Sequence, residues 1–148
     1  MAEDTAIHIY PNPLAASGHF TAVVNDNAGS PADVLEASLP FSVDCQWDID
    51  AITATLLGGT WHVDLFAESL GQGFEGRVEG TFEPVVPGQT NYSASISVPA
   101  GKFADNPPVH PLGNYSGVFK MTVVLTHHNG VVTTSICAVA DGPTVLVR

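Results

Sequence analysis

Residues 41–50, FSVDCQWDID, alternate apolar and polar side chains without a break. Phe41, Val43, Cys45, Trp47 and Ile49 share one parity; Ser42, Asp44, Gln46, Asp48 and Asp50 share the other. Successive side chains of an extended strand point to opposite faces, so this run specifies a strand with one face in a core and one in water. Half-buried strands of this kind belong to antiparallel sheets, and an isolated pair of them is marginal in water. A chain built on this stretch therefore needs further strands and a second layer to cover the apolar face. Trp47, on the inward parity, is expected to anchor the core and not to serve as a ligand platform.

The remaining sequence supplies those strands. Residues 19–25 place Phe20, Ala22 and Val24 on one parity, and 60–69 do the same with Trp61, Val63, Leu65 and Ala67. The segment 74–83, with Phe74, Val78 and Phe82 expected inward, follows the turn LGQG and is expected to pair with 60–69 as a hairpin. Residues 92–98 align Tyr92, Ala94, Ile96 and Val98, and 115–127 align Phe119, Met121, Val123 and Leu125. Asn129-Gly130 tolerates the positive φ of a type I′ turn, so 131–140 should pair back on 115–127. Asp141-Gly142-Pro143 then reads as a second turn before a last strand over 144–148.

A short extended segment over 5–10 is stopped by Pro11 and Pro13 and reads as an edge strand or arm. Residues 51–57 are apolar and ambiguous, and no window of any length has helical period. About eight or nine short strands separated by turn signals predict an all-β fold, an antiparallel β-sandwich of immunoglobulin-like architecture. The length of 148 residues fits one sandwich domain over 1–148. Unequal strand lengths and prolines at strand ends favour an open sandwich over a closed barrel.

With 4 Lys+Arg against 15 Asp+Glu, the formal net charge is −11. A field of that sign repels phosphate backbones and anionic lipids, which argues against nucleic acid and membrane surfaces as partners. No apolar run approaches the roughly 20 residues that span a bilayer. The first ten residues, MAEDTAIHIY, lack the basic region of a secretory leader, so the expected location is cytoplasmic; a leader that has been removed is the alternative.

Cys45 and Cys137 lie far apart with no CxxC spacing, which indicates neither a disulfide framework nor a zinc site. In the order Cys45, Trp61, Cys137 the chain resembles immunoglobulin domains, and the resemblance implies the sandwich architecture. The pattern departs at Ser135, where those domains carry a tyrosine. Ile136, Ala138 and Ala140 form the more apolar parity of the last hairpin, which aims Cys137 away from Cys45. Two free thiols are expected.

Candidate chemistry is sparse. Asp44, Asp48 and Asp50 lie on the polar parity of 41–50, and Asp26 lies in a loop able to approach them. Calcium takes 6–8 hard oxygen ligands, so Asp26, Asp44, Asp48 and Asp50 are the calcium candidates, against the alternative of a solvated acidic face. The six histidines show no paired ligand spacing and are read as surface and turn residues. Glu68, Glu75 and Glu79 contain the carboxylates a glycosidase-like cleft would need, but Glu75 and Glu79 flank Arg77 in an ordinary ion-pair arrangement. No nucleophile elbow, P-loop or dinucleotide fingerprint occurs, so no cofactor and no enzymatic activity are expected.

The leading expectation is a non-enzymatic sandwich that works by protein–protein contact, as a structural or self-associating subunit and a homo-oligomer. Two lysines, Lys102 and Lys120, leave few charges to guard strand edges. The apolar first and last segments make Ile7, Ile9, Tyr10, Val145 and Val147 the candidate partner-binding residues. The alternative is a carbohydrate- or small-ligand-binding sandwich, possible with calcium, that uses Tyr10, Phe66, Phe103 and Tyr115 as exposed rings.

Overall fold

The elements follow one another as β1 (Ala2–Ala6), β2 (His8–Ile9), β3 (Gly18–Asn25), β4 (Val34–Leu35), β5 (Phe41–Ile49), α1 (Ala51–Leu56), β6 (Thr60–Ser69), β7 (Glu75–Pro84), β8 (Asn91–Val98), β9 (Val118–Asn129) and β10 (Val132–Val147). They are seen in a computed structural model that describes residues 2–6, 8–9, 18–70, 75–103 and 117–147. One sheet has the order β1-β3-β5-β8. The other has the order β2-β10-β9-β6-β7, with β4 joining β10 in parallel. The two sheets face each other as an immunoglobulin-like β-sandwich, the architecture that the alternation of 41–50 requires.

β5 lies inside the first sheet, antiparallel to β3 on one side and to β8 on the other. Its burial follows parity: Phe41, Val43, Cys45, Trp47 and Ile49 are buried, while Ser42, Asp44, Gln46 and Asp48 face outward. The partner sheet answers with Trp61, Val63 and Leu65 of β6 and Met121, Val123 and Leu125 of β9, all buried. Each such side chain contributes roughly 1.5–3 kcal/mol when taken from water, so this inner layer is what holds the two sheets together.

Two local readings, at Phe82 and at Asp141-Gly142-Pro143, are corrected by the structure, and two left open, 51–57 and the edge strand or arm over 5–10, are resolved. Residues 51–57 hold a short helix, α1, because Asp50 ends the strand and caps it, accepting from the Thr53 N–H at 2.8 Å and from the Thr53 hydroxyl at 2.7 Å. In β7 a register shift opposite Leu65 and Phe66 makes a bulge, so Val78 is buried while Phe82, on its parity in the sequence, is 67% exposed. Asp141-Gly142-Pro143 does not turn the chain; it is an irregularity within the single strand β10, which pairs with β9 on both sides of it. The segment 5–10 divides between sheets: β1 pairs with β3, and β2 pairs with β10.

The continuity of β10 changes the place of the last segment. Val145 and Val147 are buried in the core, and the backbone beside them is paired on both flanks, with β9 at Phe119 and Val118 and with β4 at Val34 and Leu35. The structure thus puts them inside the sandwich, where a free apolar edge was expected. Ile9 lies in β2, paired to Ile136; Ile7 and Tyr10 lie outside the described residues. Among the described residues no helix is long and apolar enough to cross a membrane.

Candidate functional site

The outward face of the first sheet is a polar grid set by strand register. His19 of β3, Asp48 of β5 and Asn91 of β8 form one row, and Thr21, Gln46 and Ser93 form the next. Below them come Val23, Asp44 and Ser95, then Asn25, Ser42 and Ser97. Only Val23 is apolar, and no lysine or arginine occurs in the grid. The first two rows border an open groove of about 500 Å³, with Gln89 on its rim and Trp47 and Tyr92 also lining it.

The calcium candidates do not converge. Asp26 closes its own loop, accepting from the N–H groups of Ala28 at 2.9 Å and Ser30 at 3.0 Å. Asp44 accepts from Asn25 Nδ2 at 2.7 Å and from the Ser95 hydroxyl at 2.9 Å. Asp48 accepts from the His19 N–H at 3.3 Å, with the His19 ring nitrogen 3.6 Å away, and Asp50 caps α1. Four residues along a strand separate Asp44 from Asp48 by about 13 Å, too far to share one ion. Among the described residues no group of three or more His, Cys, Asp or Glu side chains is placed to hold a metal.

The outward face of the second sheet is different in kind. Phe82 lies opposite His62, and the His62 ring stacks on His128 with centroids 3.8 Å apart. Burial and the neighbouring His128 lower the pKa of His62, with the Asp64 carboxylate opposing them. Arg77 donates to Asp64 across this face at 2.7 Å, and Gly80 is what makes room for it: a Cβ there would collide with the Asp64 carboxylate and the Arg77 guanidinium. Phe66 lies on the same face at the limit of exposure, whereas Phe103, expected as an exposed ring, is buried against Phe41 and Phe119. Tyr115 lies outside the described residues. Glu68 and Glu75 are cross-strand neighbours on this face, and Glu79 lies opposite Leu65 on the other side of the bulge.

His127 is the functional-looking residue that the sequence reading placed at the surface. It is buried, stacked edge-on against Trp61, with Nε2 2.5 Å from the Gly58 carbonyl and Nδ1 2.8 Å from the Thr134 hydroxyl. A carbonyl can only accept, so Nε2 carries the proton and Nδ1 accepts from Thr134. Burial lowers its pKa, His128 adds to that, and the Gly58 carbonyl opposes both. The signal was available: 127 continues the inward parity of Phe119, Met121, Val123 and Leu125.

The two cysteines are free, Cys45 buried and Cys137 exposed, on opposite faces of their strands as the hairpin parity implies. Burial, reinforced by the Asp44 carboxylate, pushes the Cys45 thiol up to about 12, which keeps it protonated and unreactive.

Of the long strands that end a sheet, β7 and β8 differ in how they are guarded. β7 carries Glu75, Arg77, Glu79 and Glu83, is bulged, and ends in Pro84. Charge, a bulge and a proline all blunt an edge. β8, NYSASISV, has no charged residue and no proline. The Ile49 N–H donates to the Thr90 carbonyl at 2.9 Å, and the alternation of antiparallel pairs then turns the backbone groups of Tyr92, Ala94, Ile96 and Val98 toward β5. Those of Asn91, Ser93, Ser95 and Ser97 point to the open side, where no strand pairs among the described residues.

The sequence matches no protein-family model and no curated protein. Similarity appears at the level of structure. The C-terminal domain of wzt superposes over 100% of this chain and 77% of its own length, with TM-score 0.54 and 10% identity. AggA, the major subunit of aggregative adherence fimbriae type I from Escherichia coli, matches 95% of this chain and 99% of its own, with TM-score 0.42 and 10% identity. An immunoglobulin-like protein from Pseudomonas aeruginosa matches 97% and 98% respectively, with TM-score 0.35 and 9% identity. At 10% identity the likeness to the wzt domain is one of fold alone.

Proposed function

We propose that the protein is a non-enzymatic, structural β-sandwich that acts by protein–protein contact, associating with copies of itself through the open edge of β8. The observation that carries this reading is the contrast between the guarded β7 and the uncharged, proline-free β8. An unpaired edge is a template for another strand, and main-chain hydrogen bonds across it give affinity without any side-chain motif. The lack of a catalytic motif in the sequence supports the same reading.

The test is light scattering over a concentration series to high micromolar in physiological salt, on the wild type and on Ser95→Pro. Position 95 turns its N–H outward, so proline there removes an edge donor and leaves the β5 ladder whole. The wild type should associate and the variant should be monomeric with an unchanged fold by circular dichroism. A strictly monomeric wild type rules the reading out; association that survives Ser95→Pro moves the interface away from β8.

A further inference from the structure

The groove on the outward face of the first sheet is bordered mainly by neutral polar side chains, Thr21, Gln46, Gln89, Asn91 and Ser93. In the lower rows Asp44 is held by both Asn25 and Ser95, while Ser42 and Ser97 make no side-chain hydrogen bond among the described residues. In the rows that border the groove, the Thr21 hydroxyl donates to the Gln46 carbonyl at 3.4 Å and Asp48 accepts from the His19 N–H, but other side chains keep free donors and acceptors. Among the described residues the Gln46 amide and the Ser93 hydroxyl make no hydrogen bond, and the Asn91 amide donates only to the Thr90 hydroxyl, at 3.3 Å. We infer that this groove binds a neutral, polyhydroxylated ligand, a saccharide unit of a glycan, through Gln46, Asn91 and Ser93.

The lining selects the ligand class by exclusion. No lysine or arginine lies in it and the chain carries a net −11, so an anion meets only repulsion. Asp48 is its one carboxylate, and the His19 ring nitrogen stands 3.6 Å from it, which leaves nothing to chelate a cation. Most small-ligand pockets are largely apolar. Here Thr21, Gln46, Asn91 and Ser93 present amides and hydroxyls, groups that both donate and accept, which is what a ligand made of hydroxyls requires.

The rim is fixed before any ligand arrives. Tyr92 Oη accepts from the Val86 N–H at 3.1 Å and donates to the Val86 carbonyl at 3.2 Å, which clamps the loop that carries Gln89. Gln89 Nε2 then donates to the Asn91 carbonyl at 2.7 Å. A wall already ordered loses little entropy on binding, so a few neutral hydrogen bonds can register as affinity. The groove does not depend on self-association, and the two readings are separable.

The experiment probes the full chain on an array of neutral and acidic glycans, followed by calorimetric titration of the strongest hit. Neutral glycans should bind and sialylated or uronate-rich ones should not. Gln46→Ala and Asn91→Ala should each weaken binding about tenfold, the loss of one or two hydrogen bonds, with unchanged melting curves. Phe82→Ala, on the opposite sheet, should leave it unchanged, and Ser95→Pro should keep it even if association is abolished. The inference falls if no neutral glycan binds, if acidic glycans are preferred, or if the groove variants bind as the wild type does.

Discussion

At one end of the sandwich Phe41, Phe103 and Phe119 fill the core with hydrocarbon; at the other, Trp47, Trp61, Tyr92 and His127 bring polar atoms into it. Phe41 and Trp47 stand six residues apart on β5, about 20 Å along the strand. Both ends are aromatic, but the side chains of the second also make directed bonds. His127 reaches the Gly58 carbonyl and Tyr92 reaches Val86, so each ties a connecting segment to the core. The same end carries a liability: the indole N–H groups of Trp47 and Trp61 are buried without an acceptor. A buried donor left unpaired costs about 1–3 kcal/mol. The difference teaches what polar atoms do in such a core. They subtract from its stability where they are orphaned, and where they are paired they tie connecting segments to the core.

The largest test of that contrast removes one ring from each end. Trp47→Ala and Phe103→Ala should each cost about 3–5 kcal/mol in denaturant melts, since both delete a buried ring and leave a cavity. That is a large part of the ~5–15 kcal/mol that holds a domain together. Glycan binding should be kept by both in conditions where the variant is folded, because the Trp47 ring points into the core and the groove lies on the other face of β5. A silent Trp47→Ala would place the inward face of β5 on the wrong side.

Next in size is a pH dependence confined to the polar end. The pKa of folded His127 lies below its ordinary value of 6.5, chiefly through burial. Between the two values the unfolded chain takes up a proton that the folded chain refuses. Stability is therefore complete above about 6.5 and is lost as pH falls below it, with a slope of up to about 1.4 kcal/mol per pH unit. His62 contributes in the same direction. His127→Gln should remove most of one proton's slope from urea melts between pH 7 and 5, while Phe103→Ala should leave the slope intact. An unchanged slope in His127→Gln would mean the ring is already protonated in the fold, with the Thr134 hydroxyl turned from Nδ1 to the His127 carbonyl, 3.1 Å away.

Smaller again is Tyr92→Phe, which keeps the ring and deletes the clamp on Val86. One or two hydrogen bonds should cost about 0.5–1.5 kcal/mol, and hydrogen exchange should quicken at residues 85–90 before anywhere else. Uniform loss of protection at both ends of the sandwich would show that Tyr92 supports the core as a whole and not that loop.

Much of this architecture was legible because parity in β5, β6, β8 and β9 is unbroken, and each such strand has one possible inward face. What could not be read depends on pairing between strands. The bulge that exposes Phe82 is set by register against β6, and the run of β10 through Gly142-Pro143 is set by β9; neither leaves a local mark in the residues themselves. Gly59 is a similar case: its φ of +91° alone favours glycine, but a side chain there would also collide with the His128 carbonyl, a neighbour brought in by the fold. The capping role of Asp50 was readable from Asp-x-x-Thr ahead of 51–57, and was obscured because the residue completes the alternation of the strand before it. The groove was the least legible part. Its members come from three strands and a loop, and only register puts Gln46 beside Ser93.

The smallest expected effect is also the most discriminating, because it sits next to the largest. Asp48 adjoins Trp47 in sequence but faces water, with its side chain 47% exposed and that of His19, its neighbour, 65% exposed. An ion pair so open is screened by solvent and worth little. Asp48→Asn keeps the shape and an acceptor for the His19 N–H, so stability should change by no more than ~0.5 kcal/mol. Against the loss expected from Trp47→Ala, one residue away, the comparison isolates the face of the strand from the position along it. Similar destabilisation by both would mean that β5 is covered on its outer side too, and the groove would then be an interface closed in solution.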